Sequence, residues 1–197
     1  SEILSDAVGV LATAAGPEHL VGGQADDLAA ELGQLPPGLA VQDVDSLSDA
    51  SSPAENLGGE SDASDQTVRQ RCVDFLESVH RRKTGALFAA SLELGAVLGG
   101  APPEQRKALA AYASDVGLAF QVGDDLLDHT ADATLMGKRT QKDADRGKLT
   151  YPGLLGVDPT RRLAEQLITS AKQPLKVFGT AAWRLNHLAD YVLSRSH

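Results

Sequence analysis

Residues 102–128 constrain the fold more than any other part of the sequence. Their apolar side chains recur at helical spacing and cover several faces, which predicts a central, buried helix. Aromatic residues make up only 4% of the chain and β-branched residues are sparse, so helices are favoured over strands. The 197 residues are enough for one domain with a single buried core. We therefore predict an all-α helical bundle.

Glycines and prolines divide the remaining sequence into further predicted helices, at residues 1–15, 17–33, 68–98, 158–173 and 175–194. Gly85 lies in the middle of the third of these helices and predicts a kink there. Gly22 and Gly23 lie inside the second. Because such a pair is costly in a helix, we expect another backbone or a ligand to come close to it. Residues 132–156 are predicted to be rich in loops.

Most of the net charge of −9 comes from residues 36–66, which hold seven acidic residues and neither Lys nor Arg. The rest of the chain carries only −2. A loop of this length is uncommon in a compact domain, and its composition is typical of disorder. We predict a single domain over residues 1–197 with a disordered acidic insertion at 36–66. No basic stripe is present, which argues against nucleic acid as a partner.

The compartment is predicted from three observations. Cys72 is the only cysteine, so a reducing environment is expected. No secretory signal pattern is visible at the start of the sequence. The longest apolar run, residues 85–101, contains Glu93 and is shorter than the ~20 residues of a membrane span. These features predict a cytoplasmic protein that is not an integral membrane protein.

The sharpest local feature is a group of polar side chains near the end of the central predicted helix. Gln121, Asp124 and Asp128 are spaced to share one helix face, with Asp125 beside them. The three carboxylates repel one another, and a helix C-terminus disfavours each by roughly 0.3–1 kcal/mol. A bound cation would relieve this, and oxygen ligands suit Mg²⁺ or Ca²⁺. A solvated acidic helix end is the alternative that this motif alone leaves open.

Three lysines next to glycines extend the pattern. Lys83 lies upstream of the aspartates, before Thr84 and Gly85, while Lys138 and Lys148 each follow a glycine downstream. Carboxylates that hold Mg²⁺ together with several lysines form a diphosphate site, because the metal bridges phosphate oxygens and the lysines neutralise the remaining charge. Each lysine alone would be an ordinary solvated side chain. No P-loop motif occurs, which argues against a nucleotide hydrolase.

Taken together, four segments of the chain resemble the trans-polyprenyl diphosphate synthases of the farnesyl and geranylgeranyl type. They are residues 22–28, 80–88, 112–128 and 137–152. Four motifs in the family's order are far more specific than one aspartate-rich motif. The resemblance implies an isoprenoid-synthase-type helical bundle that is incomplete at its N-terminus, with this chain as the C-terminal portion.

The resemblance also implies a role for each residue of the motifs. Asp124 would bind Mg²⁺ directly, with help from Asp125 and Asp128, and Asp143 would lie near the metals. The residues that hold the allylic diphosphate would be Lys83, Lys138 and Lys148. The residues next to the developing allylic carbocation would be Thr84 and Gln121. The residues of the 22–28 segment that face the same cavity would be Gln24 and Asp27.

The implied activity is prenyl transfer with Mg²⁺ as cofactor. An allylic diphosphate would lose its diphosphate, the cation would alkylate isopentenyl diphosphate, and loss of a proton would give a short-chain polyprenyl diphosphate for isoprenoid biosynthesis. The family also implies a homodimer. The family's first aspartate-rich motif is not in this sequence, so the 197 residues are expected to be inactive on their own.

Three other interpretations stay open. The first is a non-catalytic prenyl synthase subunit or fragment that retains half of a diphosphate and Mg²⁺ site. The second is a relative of the class I terpene cyclases or squalene synthases, although the Lys83-Thr84-Gly85 segment and residues 147–152 argue against it. The third is a helical interaction protein with acidic patches, which would show no Mg²⁺-dependent ligand binding.

Overall fold

The computed structural model describes residues 2–37, 39, 61–135 and 149–195. Every regular element in these residues is helical, which confirms the all-α prediction. In chain order the elements are α1 (Glu2–Ala15), α2 (Leu20–Glu31), α3 (Ser61–His80), a π-helical turn (Arg81–Gly85), α4 (Ala86–Leu98), α5 (Pro103–Leu135), α6 (Tyr151–Leu155), α7 (Val157–Lys172), a 3₁₀ segment (Pro174–Ala182) and α8 (Trp183–Ser194). Among these helices, none is long and apolar enough to cross a membrane.

Helix α5 is the centre of the bundle, as the sequence predicts. Ala113, Val116 and Val122 have no exposed surface, and Leu118 and Leu126 are almost fully buried. The π-helical turn and helices α4, α7 and α8 all pack against α5. Burying one Val or Leu side chain contributes roughly 1.5–3 kcal/mol. Helix α5 is therefore a main source of the hydrophobic stabilisation of this bundle.

Helix α5 continues to Leu135, well beyond Asp128. The prediction that the aspartates lie at a helix C-terminus is therefore wrong, and the helix dipole does not act on them as argued from the sequence. Residues 129–135 contain neither Gly nor Pro, so no stop signal ends the helix before Gly137. The aspartates still repel one another, because they lie close together on a continuous helix.

Other helix boundaries also differ from those predicted. Helix α3 begins at Ser61, so residues 61–66 are helical and do not belong to the predicted insertion. Residues 38 and 40–60 of that insertion lie outside the described residues. Helix α2 begins at Leu20, and Pro17 lies in the turn before it. The last predicted helix is divided at Gly179, whose φ of 56° and ψ of −133° break the helical conformation.

The π-helical turn packs between α2 and α5, and each of these helices approaches it at a glycine. It includes Gly85, the residue at which a kink was predicted. A Cβ atom added to Gly117 of α5 would lie 3.0 Å from the Cα atom of Gly85. A Cβ atom added to Gly23 of α2 would lie 2.5 Å from the backbone nitrogen of Lys83. This confirms the close approach expected at the glycine pair and fixes the backbone of the turn from both sides.

Candidate functional site

A hydrogen-bond chain joins the π-helical turn to α5. The Thr84 hydroxyl donates to Oε1 of Gln121 at 2.9 Å, and Nε2 of Gln121 donates to Oδ2 of Asp124 at 3.2 Å. All three side chains are half-buried. The spacing of three between Gln121 and Asp124 brings them together on one face of α5. Three residues that the sequence predicts for one site are thus in direct contact.

Arg195, which the sequence analysis missed, completes this chain. It lies just after the last residue of α8, and its Nη2 donates to Oδ1 of Asp124 at 2.6 Å. Its guanidinium carbon lies 4.3 Å from the ring centroid of Phe120, a cation–π arrangement. Burial raises the pKa of the Asp124 carboxyl, and Arg195 offsets part of this. No sequence signal could have found this contact, because it joins residues 71 positions apart.

Asp125 points away from this chain of contacts. Its Oδ2 accepts a hydrogen bond from the backbone N–H of Tyr151 at 2.9 Å, at the start of α6. The Thr150 hydroxyl accepts from the backbone N–H of Gly153 and caps the same helix. Asp125 therefore satisfies an N-terminal backbone donor of α6. Its predicted role of helping to hold Mg²⁺ stays a prediction.

Asp128 is exposed and lies one helical turn beyond Asp124. Its negative charge also raises the pKa of the Asp124 carboxyl, in addition to burial. Within the described residues, no group of three or more Asp, Glu, His or Cys side chains could hold a metal ion. Asp124 and Asp128 offer the hard oxygen donors that Mg²⁺ prefers, and phosphate and water would supply its other ligands.

Two of the three basic residues of the π-helical turn, Arg82 and Lys83, are paired with acidic residues of α2. Nζ of Lys83 lies 2.5 Å from Oδ2 of Asp27, and Nη2 of Arg82 lies 2.5 Å from Oδ2 of Asp26. Gln24 is half-buried on the same helix as the two aspartates. The structure thus brings Lys83 and Asp27 together. The predicted cavity that Gln24 and Asp27 would face stays a prediction.

Three predicted site residues cannot be placed. Lys138, Asp143 and Lys148 lie outside the described residues. Their predicted roles in holding diphosphate or lying near the metals stay predictions.

The family described as Polyprenyl synthetase matches residues 23–180. The chain belongs to the polyprenyl synthetase family. This confirms the resemblance to the trans-polyprenyl diphosphate synthases. The matched residues contain Lys83, Thr84, Gln121 and Asp124, while Arg195 lies beyond them.

Similarity to individual proteins agrees with this family assignment. The chain is 40% identical over 159 residues to the farnesyl diphosphate synthase of Escherichia coli strain K12, covering 78% of this chain and 52% of the relative. It is 35% identical over 198 residues to the mitochondrial geranylgeranyl pyrophosphate synthase 6 of Arabidopsis thaliana, covering 100% of this chain and 50% of the relative. The chain thus spans about half the length of these curated relatives.

A solved structure is similar in fold. It is the geranyltransferase of Helicobacter pylori in complex with magnesium and isoprenyl diphosphate. The TM-score is 0.61 at 26% identity, and the match covers 98% of this chain and 52% of the other. The family and the fold of the present chain therefore rest on independent comparisons of sequence and structure.

Proposed function

We propose that this chain is the diphosphate-ionising half of a Mg²⁺-dependent prenyltransferase. The reaction would condense an allylic diphosphate with isopentenyl diphosphate into a short-chain polyprenyl diphosphate. The observation that carries the proposal is the hydrogen-bond chain of Thr84, Gln121 and Asp124, which begins in the turn that also holds Lys83. A metal-binding carboxylate, neutral oxygens and a phosphate-binding cation are the groups that this chemistry needs.

The relatives support the same reaction class. They are named as farnesyl diphosphate and geranylgeranyl pyrophosphate synthases, and a structural neighbour holds magnesium and an isoprenyl diphosphate. Because the chain spans about half of the curated relatives, we assign to it only the part of the site that its own residues form. The other substrate-binding groups would come from residues that are not in this sequence.

Asp124 and Asp128 are the proposed Mg²⁺ ligands on α5. A bound Mg²⁺ would neutralise the charge on the diphosphate as it leaves the allylic substrate. Asp124 is the direct ligand in this proposal, because it is half-buried and its second oxygen is already oriented by Gln121. Asp125 would act indirectly, by holding the start of α6 against α5. Asp143 would lie in the outer surroundings of the metals.

Lys83 is the proposed cation for the leaving diphosphate, with Lys138 and Lys148 beside it. To bind phosphate oxygens, Nζ of Lys83 would exchange the Asp27 carboxylate for the ligand. The Thr84 hydroxyl and the Gln121 amide oxygen are neutral and hydrogen-bonded to each other. They would direct lone pairs towards the developing allylic carbocation without trapping it, because neither is an anionic nucleophile.

We further propose a cytoplasmic homodimer. The outer face of α1 carries exposed apolar side chains: Ile3, Leu4, Val8 and Leu11. An apolar face of this kind supports burial against a second copy of the protein. Light scattering that finds only monomers at micromolar concentration would contradict the dimer.

Titration calorimetry with an unreactive farnesyl thiodiphosphate tests the proposed function. We expect binding that requires Mg²⁺ and falls at least about 100-fold in Asp124→Ala. Asp74→Ala is the matched control, since Asp74 is exposed and its carboxylate accepts a hydrogen bond from Gln70 within α3. Equal binding with and without Mg²⁺, or no loss in Asp124→Ala, would refute the proposal.

A product assay then separates the catalytic from the non-catalytic interpretation. The chain would be mixed with the N-terminal half of a relative, an allylic diphosphate, labelled isopentenyl diphosphate and Mg²⁺. Labelled polyprenyl diphosphate that disappears with Asp124→Ala supports a catalytic half. Mg²⁺-dependent binding without any product would favour the non-catalytic subunit.

A further inference from the structure

We propose that Arg195 is an internal counter-ion that takes the place of a divalent cation at Asp124, so that metal loading must release the end of α8. The proposal depends on the proposed function only for the identity of the cation. Its basis is the contact of Asp124 with Arg195, a residue that lies outside those matched by the family.

Both oxygens of the Asp124 carboxylate have partners in the protein. Oδ2 accepts from Gln121, and Oδ1 accepts from Arg195 at 2.6 Å. The guanidinium therefore occupies Oδ1, the carboxylate oxygen that Gln121 does not contact. A cation that binds Asp124 through Oδ1 competes directly with Arg195, because both would neutralise the same charge from the same side.

Arg195 is held in a way that permits release. Its Nε atom is buried and has no hydrogen-bond partner within the described part of the chain. A buried donor without an acceptor loses hydration without compensation. The guanidinium gains its remaining stabilisation from the ring of Phe120 and from one carboxylate oxygen. A divalent cation would offer Asp124 twice the charge, and the arginine would regain water.

The position of Arg195 makes the release local. It follows Ser194, the last residue of α8, and its backbone N–H donates to the carbonyl of Tyr191. The core of α8 is held by Ala189 and Val192, which are 0% and 4% exposed. The side chain of Arg195 can therefore leave Asp124 while α8 stays packed on α5. Removing the arginine should strengthen metal binding and leave the fold intact.

Electron paramagnetic resonance of free Mn²⁺ tests this in the full 197-residue chain. We expect Arg195→Gln to bind Mn²⁺ at least about threefold more tightly than the unmodified chain, the effect expected for loss of a partly exposed competing ion pair. Arg195→Lys should lie between them, because an ammonium still pairs with the carboxylate but lacks the planar fork. Arg184→Gln is the matched control on α8, since Arg184 lies over Trp183 and is exposed. It should not change the affinity.

The competition should disappear when its shared ligand is removed. In an Asp124→Asn background, Arg195→Gln should have no effect on Mn²⁺ affinity. An Arg195→Gln variant that binds Mn²⁺ equally or more weakly with Asp124 intact would overturn the proposal but not the metal site. Binding that is unchanged by Asp124→Asn, or absent in all variants, would overturn both this proposal and the metal part of the proposed function.

Hydrogen exchange of the peptide at residues 188–197 provides a second readout. Mn²⁺ should increase exchange at this peptide in the unmodified chain. Arg195→Gln should exchange as fast without Mn²⁺ as with it. Exchange that is slowed by Mn²⁺ would show that the metal tightens the end of α8, which contradicts the proposal.

Discussion

The site has two charged sides, and each holds one ion pair. On the lysine side, Lys83 pairs with Asp27 of α2. On the aspartate side, Asp124 pairs with Arg195 after α8. The two pairs differ in how firmly packing holds them. The backbone of Lys83 is in tight contact with Gly23, whereas the backbone of Arg195 lies just after the last residue of α8.

This difference indicates that the two sides of the site have different roles. The lysine side is pre-formed, since three closely packed backbone segments set the position of Lys83, the proposed phosphate-binding residue. The aspartate side is adjustable in our proposal, in which its counter-ion leaves without disturbing the core. A site of this kind can keep its fold in the empty state and still accept a metal-bound anion.

Among the variants that test this comparison, Gly23→Ala is expected to have the largest effect on stability. The added Cβ atom would lie 2.5 Å from the Lys83 nitrogen and 2.9 Å from its Cα atom, so the backbone has to move. We expect a loss of about 1–3 kcal/mol in the free energy of unfolding, measured by urea denaturation. The control is Gly95→Ala in α4, where no atom lies within 4 Å of the added Cβ atom. It should be neutral or stabilising by up to about 1 kcal/mol. Equal stability of the two variants would show that the lysine side is not tightly packed.

A smaller effect is expected where α8 is attached to α5. The hydroxyl of Tyr112 donates to the carbonyl of Leu185 at 2.7 Å. Tyr112→Phe removes this donor and should cost about 1–2 kcal/mol of unfolding free energy at pH 8. If α8 were held independently of this bond, the variant would be as stable as the unmodified chain.

The difference in stability between the unmodified chain and Tyr112→Phe should also depend on pH. Burial, assisted by the charge of Asp190, raises the pKa of Tyr112 from 10.0 to about 12. The folded state therefore favours the neutral phenol, and its contribution is fully present below pH 10 and is lost as the pH rises to 12. The stability difference between the unmodified chain and Tyr112→Phe should shrink over this window. A difference that is constant from pH 8 to 12 would contradict the raised pKa.

The smallest effect is expected on the lysine side itself. Asp27→Asn removes the carboxylate that competes with phosphate for Lys83. We expect inorganic diphosphate with Mg²⁺ to bind about two- to fivefold more tightly, because partly exposed ion pairs contribute about 0–1 kcal/mol. Asp26→Asn, which affects the neighbouring pair with Arg82, serves as the control and should not change the affinity. Weaker binding by Asp27→Asn in calorimetry would show that Asp27 orients Lys83 for the ligand.

The sequence predicts contacts that arise within one helix or from an unusual glycine. The contact of Gln121 with Asp124 follows from helical spacing, and the approach to Gly23 follows from the cost of a glycine pair. The predicted end of the central helix near Asp128 is wrong, because no Gly or Pro occurs before Gly137 and α5 continues to Leu135. Contacts of Asp124 with Arg195 and of Asp125 with Tyr151 could not be predicted. They depend on how separate helices pack, which no local pattern encodes.

The most direct test of the two-sided site is a crystal structure with Mn²⁺ and farnesyl thiodiphosphate, in which anomalous scattering locates the metal. We expect Mn²⁺ about 2.1 Å from Oδ1 of Asp124, a phosphate oxygen on Nζ of Lys83, and both ion pairs broken. Bound ligand and metal at another place, with the Lys83–Asp27 and Asp124–Arg195 pairs intact, would contradict this expectation.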